Sequence, residues 1–445
     1  MHRRTFLAST AGSFILRPLA RSLPLSPARP VPSASQLAWH RDELALFLHF
    51  GVNTFTDREW GDGKEDPAIF NPVGLDARQW VRTAKDSGFK LLILTAKHHD
   101  GFCLWPSKLT THSVASSPWR QGGGDIVREF TDACRAEGMK AGLYLSPWDR
   151  HERSYGDSPR YNDFYIGQLT ELLTQYGTIT EVWFDGANGE GLNGKRQVYD
   201  WERIHRTVRE LQPNAVMFSD AGPDIRWIGN EKGSAGDPNW CMMDPAVVPY
   251  AGADGPNIIN ALQHGDPHGT VWRPGEADVS IRPGWFYHPA EDDQVRPVEN
   301  LMDLYRSSVG QNAGLLLNVP PNRDGLLSAA DVASLGRFGQ ALRDLHESRR
   351  QSELAGDRRT ITLSYARSID HVSIQERIET GQHIARHAVD RWDGSRWVAL
   401  AEGTTIGHKR LHRFAPVSTD RLRVRILETH APAVLSDFAC FSSTG

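Results

Sequence analysis

The sequence predicts an α/β protein, a (β/α)8-type TIM barrel followed by a small C-terminal antiparallel β-sandwich. Three observations carry that expectation. Between Asp76 and Phe218 a helix followed by an apolar strand recurs four times. The strands lack clean polar alternation and end in polar or aromatic clusters, as parallel strands do when covered on both faces. Past about Arg349 the chain turns into short β-rich runs spaced by Gly, Asp and Ser. The 445 residues exceed one compact domain but suit a barrel plus a small domain. The expected divisions are 1–36, 37–348 and 349–445.

The first division reads as targeting sequence. Arg3-Arg4 precede Thr5-Phe6-Leu7 and a weakly apolar stretch to Leu16, a pattern similar to a twin-arginine export signal. It implies a periplasmic or secreted protein. The stretch is too short to span a bilayer, Arg17 interrupts it, and no clear small-x-small cleavage site follows. Pro18, Pro24, Pro27, Pro30 and Pro32 make a linker that cannot hold helix or central strand, so folding is expected to start near Leu37.

The barrel then unfolds in order. Ala45 to Leu48 is the first strand, ending at His49. Asp76 caps a helix that Gly88 ends, and Lys90 to Thr95 follow as the second strand. Asp125 caps the next helix, Gly138 ends it, and Lys140 to Leu145 follow. A helix through Phe164 to Leu173 closes at Gly177 and leads into Thr180 to Phe184. The fourth runs from Val198 to Leu211, breaks at Pro213, and leads into Ala215 to Phe218. Leu315 to Val319, ended by Pro320-Pro321, reads as the last strand. A doubly wound sheet would carry a Gly-rich phosphate loop after its first strand, whereas here Gly51-Val52-Asn53-Thr54 follows. Polar clusters at several strand ends instead match the rim of a barrel. In the last division the expected strands are Thr360 to Tyr365, His371 to Gln375, His383 to Val389, Trp397 to Leu400 and Arg421 to Ile426. Lacking a cluster of exposed aromatics, this domain is expected to brace the barrel.

Composition narrows the function. Fifty basic against fifty-four acidic residues give a net charge of −4, so nothing supports nucleic-acid or anionic-membrane binding. Four widely spaced Cys (Cys103, Cys134, Cys241, Cys440) show no metal pattern and read as small core residues, their pairing left open. Fourteen Trp is a high count, and sugar sites use indole rings as apolar platforms.

Chemistry concentrates at the strand ends. Adjacent strand residues point to opposite faces, so His98 and His99 are poorly placed to chelate one ion. Imidazoles hydrogen-bonding a ligand's hydroxyls fit His98-His99-Asp100 better. Asp185 ends the apolar run Val182-Trp183-Phe184, where a carboxylate is costly unless paired or used, and Gly186 beside it permits close approach. Cleaving a glycoside needs a second carboxyl group. Glu231, on a loop between Gly229 and Gly233, is one candidate, with Trp227 near enough to desolvate it and raise its pKa. Glu59 and Glu276 compete for the role, and spacing does not choose among them.

The stretches LHFGVNTFTDREWGDG (48–63), LTAKHHDGFCLWPS (94–107), GLYLSPWDRH (142–151), EVWFDGANG (181–189) and RWIGNEKG (226–233) resemble the α-L-fucosidases of glycoside hydrolase family 29. The resemblance runs from about Leu37 to the C-terminus. It implies that Asp185 is the nucleophile of a retaining exo-α-L-fucosidase. The GNE segment resembles the subgroup preferring α-1,3/1,4-linked fucose, implying Glu231 as acid/base. Fucose-binding positions carried over by the resemblance are His49, Glu59, Trp60, His98, His99, Tyr144 and Trp183, with looser matches at Arg226 and Trp285. Phe50 departs from the Trp found in many relatives. The implied partner is a fucosylated oligosaccharide or glycoconjugate, with no metal or organic cofactor. Two other readings stand beside it. One is a metal-dependent barrel hydrolase using His49, His98, His99 and Asp185. The other is a non-catalytic fucose-binding lectin.

Overall fold

The computed structural model describes residues 29–350 and 352–442. Arg3-Arg4 and the linker as far as Pro27 lie outside the described residues. Ordered structure precedes Leu37: Ser33 caps the helix Ala34–Asp42 through a reciprocal capping box with Gln36. That helix inserts Trp39 into the base of the barrel, where its indole N–H donates to Glu181 at 3.1 Å.

Eight parallel strands form the barrel: β1 (Leu44–Leu48), β2 (Leu91–Lys97), β3 (Lys140–Leu145), β4 (Glu181–Trp183), β5 (Val216–Phe218), β6 (Arg226–Trp227), β7 (Gly275–Ser280) and β8 (Gly314–Asn318). Their hydrogen-bonded order is β5-β4-β3-β2-β1-β8-β7-β6, and a parallel bridge between Phe218 and Ile225 closes the ring. The six strands expected from sequence are present. β6 and β7 escape that reading because one is two residues long and the other, Gly-Glu-Ala-Asp-Val-Ser, buries two acids. The connection from β5 to β6 carries no helix among the described residues, a departure from strict (β/α)8 alternation.

Period-two alternation sorts the strand residues. Leu44, Leu46 and Leu48 of β1 pack outward against the helices, while Ala45 and Phe47 join Tyr144, Trp183, Phe218 and Leu316 inside the barrel. The helices are anchored as their caps suggest. Asp76 accepts from the Arg78 amide and Asp125 from the Arg128 amide, both at 2.9 Å, each cap contributing about 1 kcal/mol. All four cysteines are buried and free. No helix among the described residues is long and apolar enough to cross a membrane.

The C-terminal part is one antiparallel sheet of six strands, β9 (Glu353–Leu354), β10 (Thr360–Glu376), β11 (Ile384–Trp392), β12 (Trp397–Gly403), β13 (Arg410–Thr429) and β14 (Leu435–Phe441). Two runs expected as separate strands, Thr360 to Tyr365 and His371 to Gln375, are halves of β10. Bulges at 362–367 and 369–371 let the exposed residues between them stay in the strand. Ile361, Val372, Val389, Leu422 and Phe438 share one core. The sheet grips the barrel through ion pairs. Lys409 reaches Glu43 at 2.7 Å and Arg410 reaches Asp237 at 2.8 Å.

Candidate active site

The interior face of each strand continues past its C-terminal end, and there the functional groups collect. On β4 and its extension, Glu181, Trp183 and Asp185 alternate inward, and on β1 Phe47 is followed two residues later by His49. A cavity of about 410 Å³ opens at this rim. It is lined by Phe47, His49, Glu59, Trp60, His98, His99, Trp183, Asp185, Ala187, Glu231, Asp278 and Trp285. The volume is that of a small-molecule site.

Asp185 is held from two sides. The Tyr144 hydroxyl donates to Oδ2 at 3.1 Å and the Ala187 amide to Oδ1 at 2.6 Å. Burial, and then the Asp185 charge, push the Tyr144 phenol well above its usual range, so it stays a donor. Gly186 is glycine for space: a Cβ there would run into Asp220 and Gly252. Asp220 itself, at the end of β5, accepts the Gly252 amide at 2.8 Å and lies outside the cavity lining; burial pushes its carboxyl up to about 6.

Glu231 faces the same cavity from the loop after β6. Gly229 and Gly233 both take positive φ (78° and 68°), bending that loop over the rim, and the Gly233 amide donates to the Asp278 carbonyl at 3.1 Å. Burial raises the Glu231 carboxyl above its ordinary value, the Trp285 indole N–H at 3.4 Å opposes the rise, and the Asp185 and Glu59 charges add to it. The indole beside Glu231 is therefore Trp285. Trp227, expected in that place, instead donates to Asp278 at 2.9 Å.

The histidines are neutral and oriented. Asn318 donates from Nδ2 to the Trp285 carbonyl at 2.8 Å, which turns its Oδ1 toward His49 Nδ1, also at 2.8 Å. His49 must therefore carry its proton on Nδ1 and present Nε2 to the cavity as an acceptor. Burial lowers its pKa to about 3. The Ser146 hydroxyl donates to the Trp148 carbonyl, so it accepts from His99 Nδ1 at 2.7 Å, leaving His99 Nε2 3.9 Å from Asp185. Burial also lowers His98 and His99. The expectation that these two neighbours face opposite ways fails. β2 ends at Lys97, the next residues form a turn, and both rings line the cavity with centroids 4.1 Å apart. Even so, among the described residues no three His, Cys, Asp or Glu side chains converge as metal ligands.

Glu59 accepts from the Trp285 and Phe286 amides (2.8 and 3.1 Å) and pairs with His288 at 2.6 Å. Trp60 stands at the mouth, 59% exposed, edge-on to His99. Trp183 stacks on Phe218 at 4.1 Å and donates to Glu276 at 3.0 Å. Two expectations are corrected. Arg226 is fully buried and spends its guanidinium on Asn239 and on the Leu262 and Arg273 carbonyls, away from the cavity. Glu276 lies in the barrel interior beside Glu181, not at the rim, and so leaves the contest for the second carboxyl. Phe50 packs on Phe70 and Trp80. Sequence reasoning missed Asp278 and Asn318 as site residues. Asn318 ends a strand the sequence does show, so alternation along β8 points to it, whereas Asp278 lies on β7, whose alternating acids hide the strand.

With this geometry in place, comparison with known proteins is decisive. A family model described as alpha-L-fucosidase matches residues 39–347. The chain belongs to the alpha-L-fucosidases. Members of this family are glycoside hydrolases, and the fucosidase is 44% identical over 432 residues to alpha-L-fucosidase 1 of Arabidopsis thaliana, covering 89% of this chain and 84% of that one. A putative alpha-L-fucosidase 1 of Oryza sativa subsp. japonica is 42% identical over 457 residues, covering 95% and 87%. A family 29 fucosidase of Ruminococcus gnavus, solved in complex with fucose, superposes with a TM-score of 0.84 at 33% identity, covering 94% of this chain and 96% of that one.

Proposed function

We propose that this fucosidase is a retaining, exo-acting enzyme that removes terminal α-1,3- or α-1,4-linked fucose from oligosaccharides or glycoconjugates. The observation that carries the mechanism is two carboxyl groups in one cavity: Asp185 receives two hydrogen bonds, and burial raises the Glu231 carboxyl toward its protonated form. A carboxylate oxygen of Asp185 attacks the anomeric carbon as the glycosidic C–O bond breaks, and Glu231 gives its proton to the departing oxygen. Water then attacks the same carbon, Glu231 takes the water's proton, and the Asp185 ester bond breaks. His49 and His99 accept sugar hydroxyls through Nε2, Glu59 accepts another, and Trp285 with Phe47 covers the apolar face. The exo mode rests on a cavity sized for a small ligand, and the linkage on the likeness of the GNE segment to the α-1,3/1,4 subgroup.

Hydrolysis of α-1,2-, α-1,3-, α-1,4- and α-1,6-fucosylated oligosaccharides tests the linkage, and activity confined to the α-1,2 or α-1,6 substrates would overturn it. Proton NMR of the first-formed fucose tests retention. Arg3-Arg4 and the apolar residues after them support export to the periplasm. Arg3→Lys with Arg4→Lys should trap the enzyme in the cytoplasm if that is so.

A further inference from the structure

Asp100 belongs to the same His-His-Asp stretch as two sugar-facing histidines, yet it lines no part of the cavity and sits buried behind the loop that carries Glu59 and Trp60. Its Oδ1 accepts the Phe102 amide at 2.7 Å, and its Oδ2 has no partner. A second buried oxygen nearby is also unpartnered, Oδ1 of Asn53. Both side chains converge on Gly61. A Cβ on that residue would meet Asn53 Oδ1 and Glu65 Oε1 at 2.6 Å and Asp100 Cβ at 2.7 Å. Two unsatisfied acceptors buried together would cost several kcal/mol. Asn53 cannot turn its amide to relieve them, because Nδ2 already donates to the Glu59 carbonyl at 3.3 Å. A single proton would satisfy both.

We propose that Asp100 is a positioning residue, a carboxylic acid that donates through Oδ2 to Asn53 Oδ1 and so fixes the backbone of Glu59 and Trp60 against the sugar. The inference rests on the reading that those two residues hold fucose. The surroundings favour the neutral form. Burial raises Asp100 to about 7, and the Glu65 and Asp149 carboxylates add to the effect. Of the cations near that cluster, Lys97 is spent on Asp149 at 2.8 Å and Arg150 donates to the Gly61 carbonyl, while His112 stands against the Asp100 backbone. As pH rises through about 7 the donor is lost and the loop loosens.

The test is L-fucose binding to the full-length enzyme, read by tryptophan fluorescence at pH 6 and pH 8.5, together with kcat and KM on an aryl fucoside. The unaltered enzyme should bind fucose several-fold more weakly at the higher pH. Asp100→Asn keeps a donor and an acceptor without titrating, so it should bind as the parent does at pH 6 and hold that affinity at pH 8.5. Asp100→Ala should raise KM about tenfold, the loss of one buried hydrogen bond, with kcat nearly kept. Asn53→Ala should cost less in the Asp100→Ala background than in the parent, because the bond to Asp100 is already gone and only the Nδ2 bond to the Glu59 carbonyl remains to be lost. Asp100→Asn as impaired at pH 6 as Asp100→Ala, or sharing the parent's pH dependence, would overturn the proposal. If Asp100→Ala fails to fold, the two pH curves of the parent and Asp100→Asn decide alone. Absence of fucose binding by the parent itself would instead overturn the sugar-site reading.

Discussion

At the residue scale, the same functional group behaves differently according to what stands beside it. Asp185 meets two donors, whereas Glu231 meets one indole N–H and two neighbouring carboxylates. Asp185→Ala should abolish turnover while leaving the circular-dichroism spectrum unchanged, and appreciable activity would sink its assignment as nucleophile. Glu231→Ala should slow substrates with poor leaving groups by roughly 10²–10⁴-fold, the usual worth of general acid catalysis, and affect activated aryl fucosides far less. The pH profile offers a finer check. Because Glu231 must be protonated for the first step, kcat/KM falls on the alkaline side as it ionises. Trp285 opposes the upward shift, so Trp285→Phe should move that limb to higher pH whatever it does to the maximum rate. A limb that stays put, or moves down, would show that the limb belongs to another group. Little of this was legible in the chain. Asp185 stands out in sequence because a carboxylate at the end of an apolar strand is expensive. Nothing in the local sequence distinguishes Trp285 from Trp227 as the neighbour of Glu231, since 54 residues separate Glu231 from its indole partner.

At the element scale, β7 is the least strand-like strand by composition and among the most consequential. Its interior face carries Glu276, Asp278 and Ser280, and from it hang the Trp183 indole, the Trp227 indole and the loop of Glu231. Glu276 and Glu181 are both buried beside one another, so their protons are retained: burial raises Glu276 to about 7, and burial with the Glu276 charge raises Glu181 well above its ordinary value. The sign of the consequence follows from linkage. The folded state binds protons more tightly than the unfolded chain, so stability is full below the ordinary Glu range and declines as pH rises towards 7 and beyond. Glu276→Gln, which keeps an oxygen for Trp183, should flatten that decline and leave Tm at pH 8 equal to or above the parent's. A steeper fall in differential scanning calorimetry would contradict the account of retained protons. Patterning fails on β7 because acids at alternating positions mimic a half-exposed strand, while the barrel interior buries them all.

At the scale of the whole molecule, the C-terminal sheet meets the barrel through Glu43, just before β1, and through Asp237. The charges there are largely buried, and the Lys409 and His408 partners hold the Glu43 carboxyl down to about 2. Removing one partner of such a pair costs about 3 kcal/mol. Lys409→Ala should therefore lower Tm by several degrees and leave KM for fucosides unchanged. A raised KM at unchanged Tm would mean that the domain takes part in binding rather than bracing.

By itself the sequence determined the barrel, its helix caps and six of its strands, because apolar period, capping residues and glycine stops are local and act within a few residues. It also marked Asp185 and the two histidines, through the cost of polar groups at apolar strand ends and through a family likeness carried by contiguous motifs. Only the tertiary structure decided that His98 and His99 share a face, that Arg226 serves the core, and that Trp285 attends Glu231. It also decided that Asp278 and Asn318 complete the site. Each of those facts depends on closing the ring of strands, which brings β7 and β8 back beside β1 and sets residues hundreds of positions apart around one cavity.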